Sequence, residues 1–257
     1  MNKIMYNDNF ENEDFIDIEL INYGFGCFTT IKLCNKKLFL LKNHFERLKS
    51  DSQKIGLKFE LSIEEFIKKC YKFVEFNNLK SGAIRFNIID TGYYCVYRNQ
   101  TYDFRNFVKI KIASNLRNHT SKLVDVKSNN YLENLLSIKE ARKSGFDEVL
   151  YFNFNKQICE CATANIFLVN KNKIYTPDKK CGLLNGIIRR WILKSDFNVI
   201  ECNLYRKDLE KAEEVFISNC LRGVMVVSKV DELVFKEGPM YFRLKNYIKS
   251  VEKNNLY

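Results

Sequence analysis

The sequence predicts an α+β fold, with enough residues for one large domain or two smaller ones. The chain has 257 residues, of which 46% are hydrophobic and 14% aromatic, a composition typical of a folded globular protein. In the first part of the chain, strand-like segments precede and follow two helical patterns. In the second part, a helical pattern is followed by short strands at hairpin spacing. This order of segments favours the α+β class.

Two helices are predicted within the first part. The segment 43–55 has helical apolar spacing and is followed by Gly56, which can end a helix. The segment 62–76 begins with Ser62 and has Glu65 three residues later, which is the pattern of a capping box. The strands predicted around these helices are IDIELIN, FTTIKLC, KLFLL, AIRFNII and FVKIKIA.

The second part begins with a helix predicted from Leu132, Leu135, Leu136 and Ala141 and ended by Gly145. Further strands are predicted at EVLYFNF, QICEC, NIFLV, KIYT, NVIECNL, EVFISN and GVMVVSKV, and further helices at GLLNGIIRRWIL and PMYFRLKNYIKSVEK. We therefore predict a smaller N-terminal α/β domain over residues 1–118 and a larger C-terminal domain over residues 119–257.

The pattern of the chain predicts a cytoplasmic protein. Its start, MNKIMYNDNFENEDF, lacks the basic and apolar regions of a signal peptide, and no segment approaches the roughly 18 apolar residues of a membrane span. Nine cysteines, an odd and widely spaced set, indicate reduced thiols rather than a disulfide framework. His44 and His119 stand in no metal-binding spacing, so we expect no metal site.

The net charge of +11 raises the question of a nucleic-acid partner. In segments such as SIEEFIKKC the basic residues alternate with acidic ones, so a solvated basic surface is the simpler interpretation. Such a surface attracts small anionic substrates. A basic nucleic-acid-binding protein remains an alternative, and it predicts binding that falls steeply with salt.

Lys127 is the first candidate for chemistry. It follows Val126 and precedes the Ser-Asn-Asn-Tyr segment, where a strand is predicted to end and a helix to begin. A lysine becomes a nucleophile when desolvation or nearby positive charge lowers its pKa, and the apolar strand offers desolvation. A lysine at a strand end is more often an ordinary surface residue, so further residues are needed to support the hypothesis.

Three other positions supply this support for a catalytic role of Lys127. Glu160 lies inside an otherwise apolar strand, where a carboxylate requires a partner. Gly186 precedes a helix whose first N–H groups suit a phosphate, and Arg47 can bind phosphate through two nitrogens. An amine, a carboxylate and a phosphate site match the aldehyde, ring nitrogen and phosphate of pyridoxal phosphate. Each residue alone also has an ordinary structural interpretation.

Together these motifs resemble the class IV aminotransferase family, the fold-type IV pyridoxal-phosphate enzymes. The resemblance covers nearly the whole chain and rests on YGFGCFTTIK, HFERLKS, VKSNNYLENLLSIKEARKSGFDEVLYFN, ECATANIFLV, IYTP, LLNGIIRR and VFISNCLRGVMVVSKVD. It implies a smaller N-terminal α/β domain, a larger C-terminal domain with a barrel-like sheet, pyridoxal 5'-phosphate as cofactor, and a homodimer without nucleic-acid or membrane partners.

The resemblance also implies roles for single residues. Lys127 matches the lysine that holds the cofactor, Glu160 the acid at the ring nitrogen, Arg47 the phosphate arginine, and Tyr131 the tyrosine that hydrogen-bonds the ring oxygen. Backbone amides of two loops complete the implied phosphate site: Ile187, Ile188, Cys220 and Leu221.

Two residues favour one branch of the family, the aminodeoxychorismate lyases. Thr30 in FTT and Asn219 in ISNCL match residues of lyases, and with Lys127 they form the expected catalytic set. The arginine-glycine motif common in lyases is missing here, and Arg98 or Arg222 could replace it as substrate-binding residues. We therefore expect a lyase that converts 4-amino-4-deoxychorismate to 4-aminobenzoate and pyruvate. The alternative is a transaminase acting on a D-amino or branched-chain amino acid.

Overall fold

The computed structural model of the chain describes residues 4–8, 18–99 and 107–255. It consists of two compact units. The first comprises Met1–Asp103, Val126–Asn130 and Glu252–Tyr257, and the second comprises Phe104–Asp125 and Tyr131–Val251. The mixture of helices and antiparallel and parallel strands confirms the predicted α+β class.

Over its described residues, the first unit contains five strands and three helices. In chain order these are β1 (Ile4–Tyr6), α1 (Ile18–Tyr23), β2 (Gly26–Cys34), β3 (Lys37–Leu38), α2 (Leu41–Lys54), α3 (Ile63–Phe76), β4 (Gly82–Ile89) and β5 (Gly92–Arg98). The strands form one antiparallel sheet in the order β1-β5-β4-β2-β3.

One face of this sheet carries the core of the first unit. Because side chains alternate along a strand, Ile31 of β2 and Phe86 of β4 face the same side, where they join a buried cluster with Leu48 of α2 and Phe66 and Phe73 of α3. The opposite face carries mainly polar side chains and is part of the candidate site described below.

The sequence patterns of α2 and α3 are confirmed. After α2, Gly56 takes a φ of 76°, the left-handed conformation that glycine adopts without strain. At the start of α3, the Ser62 side chain accepts a hydrogen bond from the Glu65 N–H and the Glu65 side chain accepts one from the Ser62 N–H. This reciprocal pair is the predicted capping box.

One predicted strand of the first unit is wrong, and another is shorter than predicted. The segment IDIELIN was predicted as a strand, whereas Ile18–Tyr23 is helix α1, and its first two residues lie outside the described part of the chain. The Gly24 N–H donates to the Leu20 carbonyl, and Gly24 has a φ of 62°, so this glycine closes a helical turn. The strand predicted at KLFLL ends at Leu38, because Leu41 already begins α2.

Residues near the end of the chain complete the first unit. The Lys32 ammonium of β2 forms an ion pair with Glu252 at 3.0 Å, and the backbone N–H of Leu40 donates to the carbonyl of Asn255 at 3.2 Å. Residues distant in sequence therefore belong to the same unit as β2 and α2.

The second unit contains a larger sheet. Its elements are β6 (Phe107–Ile112), α4 (Leu132–Lys143), β7 (Glu148–Phe152), β8 (Ile158–Cys161), β9 (Asn165–Asn170), β10 (Lys173–Pro177), a short 3-10 helix (Lys179–Cys181), α5 (Ile187–Leu193), β11 (Val199–Cys202), α6 (Arg206–Glu210), β12 (Glu214–Asn219), β13 (Gly223–Val230), β14 (Leu233–Val234) and α7 (Pro239–Asn254), whose residues from Glu252 onward are assigned to the first unit. The nine-stranded sheet has the order β11-β10-β9-β12-β13-β6-β7-β8, with β14 paired to β13.

The position of β6 differs from the expectation. Its sequence, FVKIKI, was assigned to the first half of the chain, but β6 pairs in parallel with β13 and with β7 in the second unit. A run of β-branched residues identifies a strand without identifying its sheet, because pairing is decided by distant partners. The domain boundary between residues 118 and 119 stays a prediction.

Helix α4 presents an unexpected apolar surface. Of the four residues that predicted this helix, Ala141 is buried, whereas the three leucines are exposed, with exposed fractions of 67% for Leu132, 49% for Leu135 and 55% for Leu136. The buried residues of the helix are Asn134, Ile138 and Ala141. The leucines therefore form the outer face of α4.

Candidate active site

Lys127 lies on a short segment of the first unit, not at the end of a strand as predicted. The segment Val126–Asn130 belongs to the same unit as β2, and it contacts β2 through an isolated antiparallel bridge between Cys27 and Ser128. Helix α4 begins five residues later along the chain, at Leu132. Lys127 therefore depends on β2 for its position.

Backbone and side-chain hydrogen bonds hold this segment on two sides. The Phe28 N–H donates to the Lys127 carbonyl at 2.8 Å, and the Asn129 N–H donates to the Gly26 carbonyl at 2.9 Å. The Lys127 N–H donates to Oδ2 of Asp51, on α2, at 3.1 Å. Both backbone polar groups of Lys127 are thus engaged within the first unit.

The Phe28 ring lies against two cations. Its centroid is 4.7 Å from Lys127 Nζ and 3.5 Å from the guanidinium carbon of Arg85 on β4. Arg85 also donates from Nε to Asn87 Oδ1 at 3.1 Å and from a terminal nitrogen to Asn129 Oδ1 at 2.8 Å. The amine and the guanidinium therefore share one aromatic neighbour, an arrangement that cation–π attraction favours.

Arg85 also lines an open depression of about 310 Å³ on the polar face of the sheet. The residues around it are Leu20, Gly24, Arg85, Tyr94, Val96, Arg98 and Asn129. Thr30 is the register partner of Arg85 on β2, so the two side chains emerge on the same face. The structure thus places Arg98, one of the predicted substrate residues, in a depression with a second arginine.

Arg85 was missed by the sequence analysis. A signal was available, because a charged residue interrupts the apolar strand AIRFNII just as Glu160 interrupts QICEC. An arginine in the middle of a strand is costly to bury without polar partners, which argues for a polar face at that position.

Arg47 is buried, with an exposed fraction of 7%. A terminal nitrogen of its guanidinium donates to the Thr29 hydroxyl, which lies 2.6 Å from Nδ1 of His44, and no hydrogen-bond partner of Arg47 Nε is found within the described residues. Since the guanidinium only donates, the Thr29 hydroxyl accepts from it and can donate its own proton to His44. A buried cation with neutral partners is suited to an anionic ligand.

Glu160 lies on β8 in the second unit. Its Oε2 accepts hydrogen bonds from the Leu184 N–H at 3.1 Å and from Nδ2 of Asn165 at 3.4 Å. Asn165 Nδ2 also donates to the Leu184 carbonyl at 2.8 Å. A Cβ atom on Gly186 would lie 2.2 Å from Asn165 Oδ1, so a larger residue there would push the Asn165 side chain away from its bonds to Glu160 and Leu184. Asn165, which the sequence analysis missed, positions Glu160.

The start of α5 is held by a buried arginine. Arg189 donates to Asn185 Oδ1 at 2.8 Å and to the Pro177 carbonyl at 2.8 Å, and it forms an ion pair with Glu201 at 2.6 Å. Ile187 and Ile188 at the first two helical positions have buried side chains. Only their backbone N–H groups, which have no acceptor inside a first helical turn, can therefore serve a ligand.

Tyr131 and Asn134 share one acceptor in the second unit. The Tyr131 hydroxyl and the Asn134 Nδ2 each donate to the Ala162 carbonyl at 2.6 Å. Burial, together with the negative charges of Glu160 and Glu148, raises the pKa of Tyr131 and keeps its proton in place. Its role toward the ring oxygen of a cofactor stays a prediction.

Asn219 organises the loop after β12. Its Oδ1 accepts from the N–H groups of Leu221 at 3.1 Å and Arg222 at 2.9 Å, and its Nδ2 donates to the Thr163 carbonyl at 3.3 Å. The Leu221 amide, predicted to bind phosphate, thus has a partner inside its own loop. The predicted roles of Asn219, Cys220, Leu221 and Arg222 stay predictions.

The described ranges contain no group of three or more His, Cys, Asp or Glu side chains that could hold a metal ion. Within the same ranges, no helix is long and apolar enough to cross a membrane. The nine cysteines are free thiols.

The fold is that of the fold-type IV pyridoxal-phosphate enzymes. The chain belongs to the class IV aminotransferase family, whose family model matches residues 26–230. Members of this family are enzymes that depend on pyridoxal phosphate, which confirms the predicted family, enzyme class and cofactor.

Individual relatives carry different activities. The chain is 27% identical to the aminodeoxychorismate lyase of Bacillus subtilis over 236 residues, 82% of this chain and 79% of that protein. It is also 27% identical to the D-alanine aminotransferase of Listeria monocytogenes over 273 residues, covering 95% of this chain and 94% of that protein.

A solved structure supports the fold. The branched-chain aminotransferase of Thermoproteus uzoniensis superposes with a TM-score of 0.88 at 24% identity, covering 99% of this chain and 98% of that one. The fold-type IV architecture predicted from the sequence is thereby confirmed.

The residues present fit the cofactor of this family. In the first unit, the buried Arg47 guanidinium has a nitrogen, Nε, without a hydrogen-bond partner in the described part of the chain, as a phosphate site requires. In the second unit, hydrogen bonds from Leu184 and Asn165 hold the Glu160 carboxylate, which can accept a hydrogen bond from a protonated ring nitrogen.

Proposed function

We propose that this chain is an aminodeoxychorismate lyase, which releases pyruvate from 4-amino-4-deoxychorismate and leaves 4-aminobenzoate. The observation that carries the proposal is that the Phe28 ring contacts both the Lys127 amine and the Arg85 guanidinium. An amine that performs the chemistry and a cation that binds a carboxylate are thus both available beside one ring, and Arg98 lines the same depression as Arg85.

The charge of this face favours the proposed substrate. Aminodeoxychorismate carries two carboxylates, whereas D-alanine and the branched-chain amino acids carry one carboxylate and an apolar side chain. Two arginines in one depression suit a dianion, because each guanidinium can form a charge-assisted bond with a carboxylate. An apolar amino-acid side chain would gain little from such a lining.

Each residue has a stated task in the proposed reaction. With the cofactor bound, Lys127 Nζ would hold it until the substrate amine takes that place, and the freed lysine amine would then accept the proton from the carbon that bears the substrate amine. Glu160 keeps the proton on the cofactor's ring nitrogen, and Arg47 binds the phosphate. Bound pyridoxal phosphate supplies an electron sink for the departing bond electrons. The Thr30 hydroxyl assists the proton transfer, and pyruvate leaves as the ring becomes aromatic.

A transaminase is the second candidate. The depression that suits a dianionic lyase substrate also suits the second carboxylate of a glutamate amino donor. The equal identity to a lyase and to a D-alanine aminotransferase leaves both activities open to test.

A homodimer formed through α4 is part of the proposal. Its support is the exposed row Leu132, Leu135 and Leu136, which a second copy of the chain would remove from water. Light scattering after size-exclusion chromatography should give twice the chain mass of 30.5 kDa, and Leu135→Glu should shift the mass toward the monomer. A wild-type monomer under these conditions would contradict the assembly.

The activity test compares two reactions on the same preparation. The protein loaded with pyridoxal phosphate is given aminodeoxychorismate, and pyruvate and 4-aminobenzoate are measured; separately, D-alanine, leucine and valine are offered with 2-oxoglutarate. Thr30→Val should slow lyase turnover and retain the cofactor's absorbance, while Thr91→Val, on the exposed turn after β4, is the matched control. Rapid transamination with an inert aminodeoxychorismate would replace the lyase assignment with the second candidate.

A further inference from the structure

Asp51 is a buried carboxylate on α2 that the proposed reaction does not use. Its exposed fraction is 3%, and its Oδ2 lies 3.1 Å from the backbone nitrogen of Lys127. Burying a carboxylate is unfavourable unless hydrogen bonds compensate for the lost water. The bond from Lys127 is one such compensation, and it joins α2 directly to the backbone of the lysine.

The bond completes a set of contacts around Lys127. The Phe28 N–H on β2 holds the carbonyl of Lys127, and Asp51 on α2 holds its N–H. Among the described residues, the strand pairing of this segment is the single bridge between Cys27 and Ser128. The Asp51 bond is the contact that joins the backbone N–H of Lys127 to α2.

The same helix carries the arginine assigned to the phosphate. Arg47 and Asp51 are four residues apart on α2, so they lie one above the other on one face of the helix. Both charges act on the Cys27 thiol of β2, whose pKa is raised to about 12. Burial is the main cause of the rise and the Asp51 charge adds to it, while the hydrogen bond with Ser52 and the Arg47 charge oppose it. One turn of α2 thus carries both Arg47 and the carboxylate that binds the backbone of Lys127.

We propose that Asp51 is a positioning residue, which ties the backbone of Lys127 to the turn of α2 that carries Arg47. The Asp51 bond would then keep the backbone of Lys127 at a fixed distance from Arg47. A constant spacing between the amine and the phosphate-binding cation is what a cofactor bound at both of them requires. The proposal rests on the function proposed for Lys127 and Arg47.

The experiment uses two substitutions at one position. Asp51→Asn keeps an oxygen that can accept from the Lys127 N–H, whereas Asp51→Leu keeps a similar shape without an acceptor. Asp51→Ser, which is too short to reach the Lys127 nitrogen, replaces the leucine variant if that chain does not fold. Glu214→Gln is the matched control, because Glu214 is a buried carboxylate that accepts from the Met240 and Tyr241 N–H groups away from this segment.

Amide hydrogen exchange at Lys127, measured by NMR on the full chain without cofactor, tests the hydrogen bond from the Lys127 N–H to Asp51 directly. Exchange at this amide should be about tenfold or more faster in Asp51→Leu and within about threefold of wild type in Asp51→Asn. The amide of Phe86 in the centre of the sheet should keep its rate. Equal exchange at Lys127 in the leucine variant and wild type would overturn the proposal.

Reaction of the loaded protein supplies the second readout. Borohydride trapping of cofactor on Lys127 should become slower in Asp51→Leu and recover in Asp51→Asn, with Glu214→Gln like wild type. Unchanged trapping in the leucine variant also overturns the proposal. If wild type shows no trapped cofactor at Lys127, the proposed function fails, and the exchange result still decides whether Asp51 holds the lysine backbone.

Discussion

The guanidinium carbon of Arg85 lies 3.5 Å from the centre of the Phe28 ring, so the cation is stacked directly on the aromatic face. Stacking fixes the plane of the guanidinium and leaves its edge for hydrogen bonds, of which Asn87 and Asn129 each take one. A cation held in this way is suited to recognising a planar carboxylate.

Arg85→Gln should therefore weaken substrate binding. Loss of a charge-assisted bond of about 1.5–3 kcal/mol predicts a KM about tenfold or more higher, with the cofactor's absorbance unchanged. Steady-state kinetics with the active substrate measure this, and Arg206→Gln, on an exposed ion pair with Glu210, is the control. A KM equal to that of wild type would remove Arg85 from the substrate site.

Lys127→Ala should abolish covalent attachment of the cofactor while the fold survives. The bonds that hold this segment involve the backbone of Lys127, to Phe28 and Asp51, and the substitution leaves them intact. Borohydride treatment followed by mass spectrometry tests the attachment, and circular dichroism tests the fold. Cofactor still trapped on the alanine variant would mean that another amine holds it.

Arg47→Ala should raise the Kd of pyridoxal phosphate by about tenfold or more, because a buried charge-assisted contact is removed. The side chain also joins α2 to Thr29 of β2, so the free energy of unfolding should fall by about 1–3 kcal/mol. Fluorescence titration and urea unfolding give the two values. An unchanged Kd with lowered stability would assign Arg47 to the fold alone.

Gly186→Ala should destabilise the chain by about 1–3 kcal/mol, because the new Cβ would lie 2.2 Å from Asn165 Oδ1. Removing that side chain in the double variant with Asn165→Ala should relieve the clash. Urea unfolding of wild type, both single variants and the double variant completes a double-mutant cycle. The double variant should lose less free energy of unfolding than the sum of the two single losses. Strict additivity would show that Asn165 does not limit this position.

Tyr131→Phe should alter the alkaline stability of the chain. The pKa of Tyr131 is raised by burial and by Glu160 and Glu148, so the folded chain keeps a proton that the unfolded chain releases near pH 10. Stability from this group is complete below about pH 10 and is lost as the pH rises further. Urea unfolding across that range should show a shallower decline in the variant. The same slope in both proteins would contradict the raised pKa.

Local patterns predicted much of the secondary structure and several site residues. The capping box at Ser62 and the carboxylate at Glu160 could be found because their physical reasons lie within a few residues of sequence. The helix at Ile18–Tyr23 was missed because its apolar residues fit both the helical and the strand period, and Gly24 decides between them.

Long-range relationships could not be predicted in the same way. The parallel pairing of β6, the bond from Lys127 to Asp51 and the outward direction of Leu135 each depend on residues distant in sequence. Helical spacing shows that leucines share a face, but it does not show whether that face meets the core or a second chain.

The contacts of Glu252 with Lys32 and of Asn255 with Leu40 have a consequence for protein synthesis. The ribosome releases β2 and α2 early, but their partners emerge only after every strand of the second unit has been made. During synthesis, the Lys32 ammonium and the Leu40 N–H therefore stay exposed to water until the end of the chain has been made. A translation stop shortly before Glu252 would yield a chain whose first unit lacks both contacts.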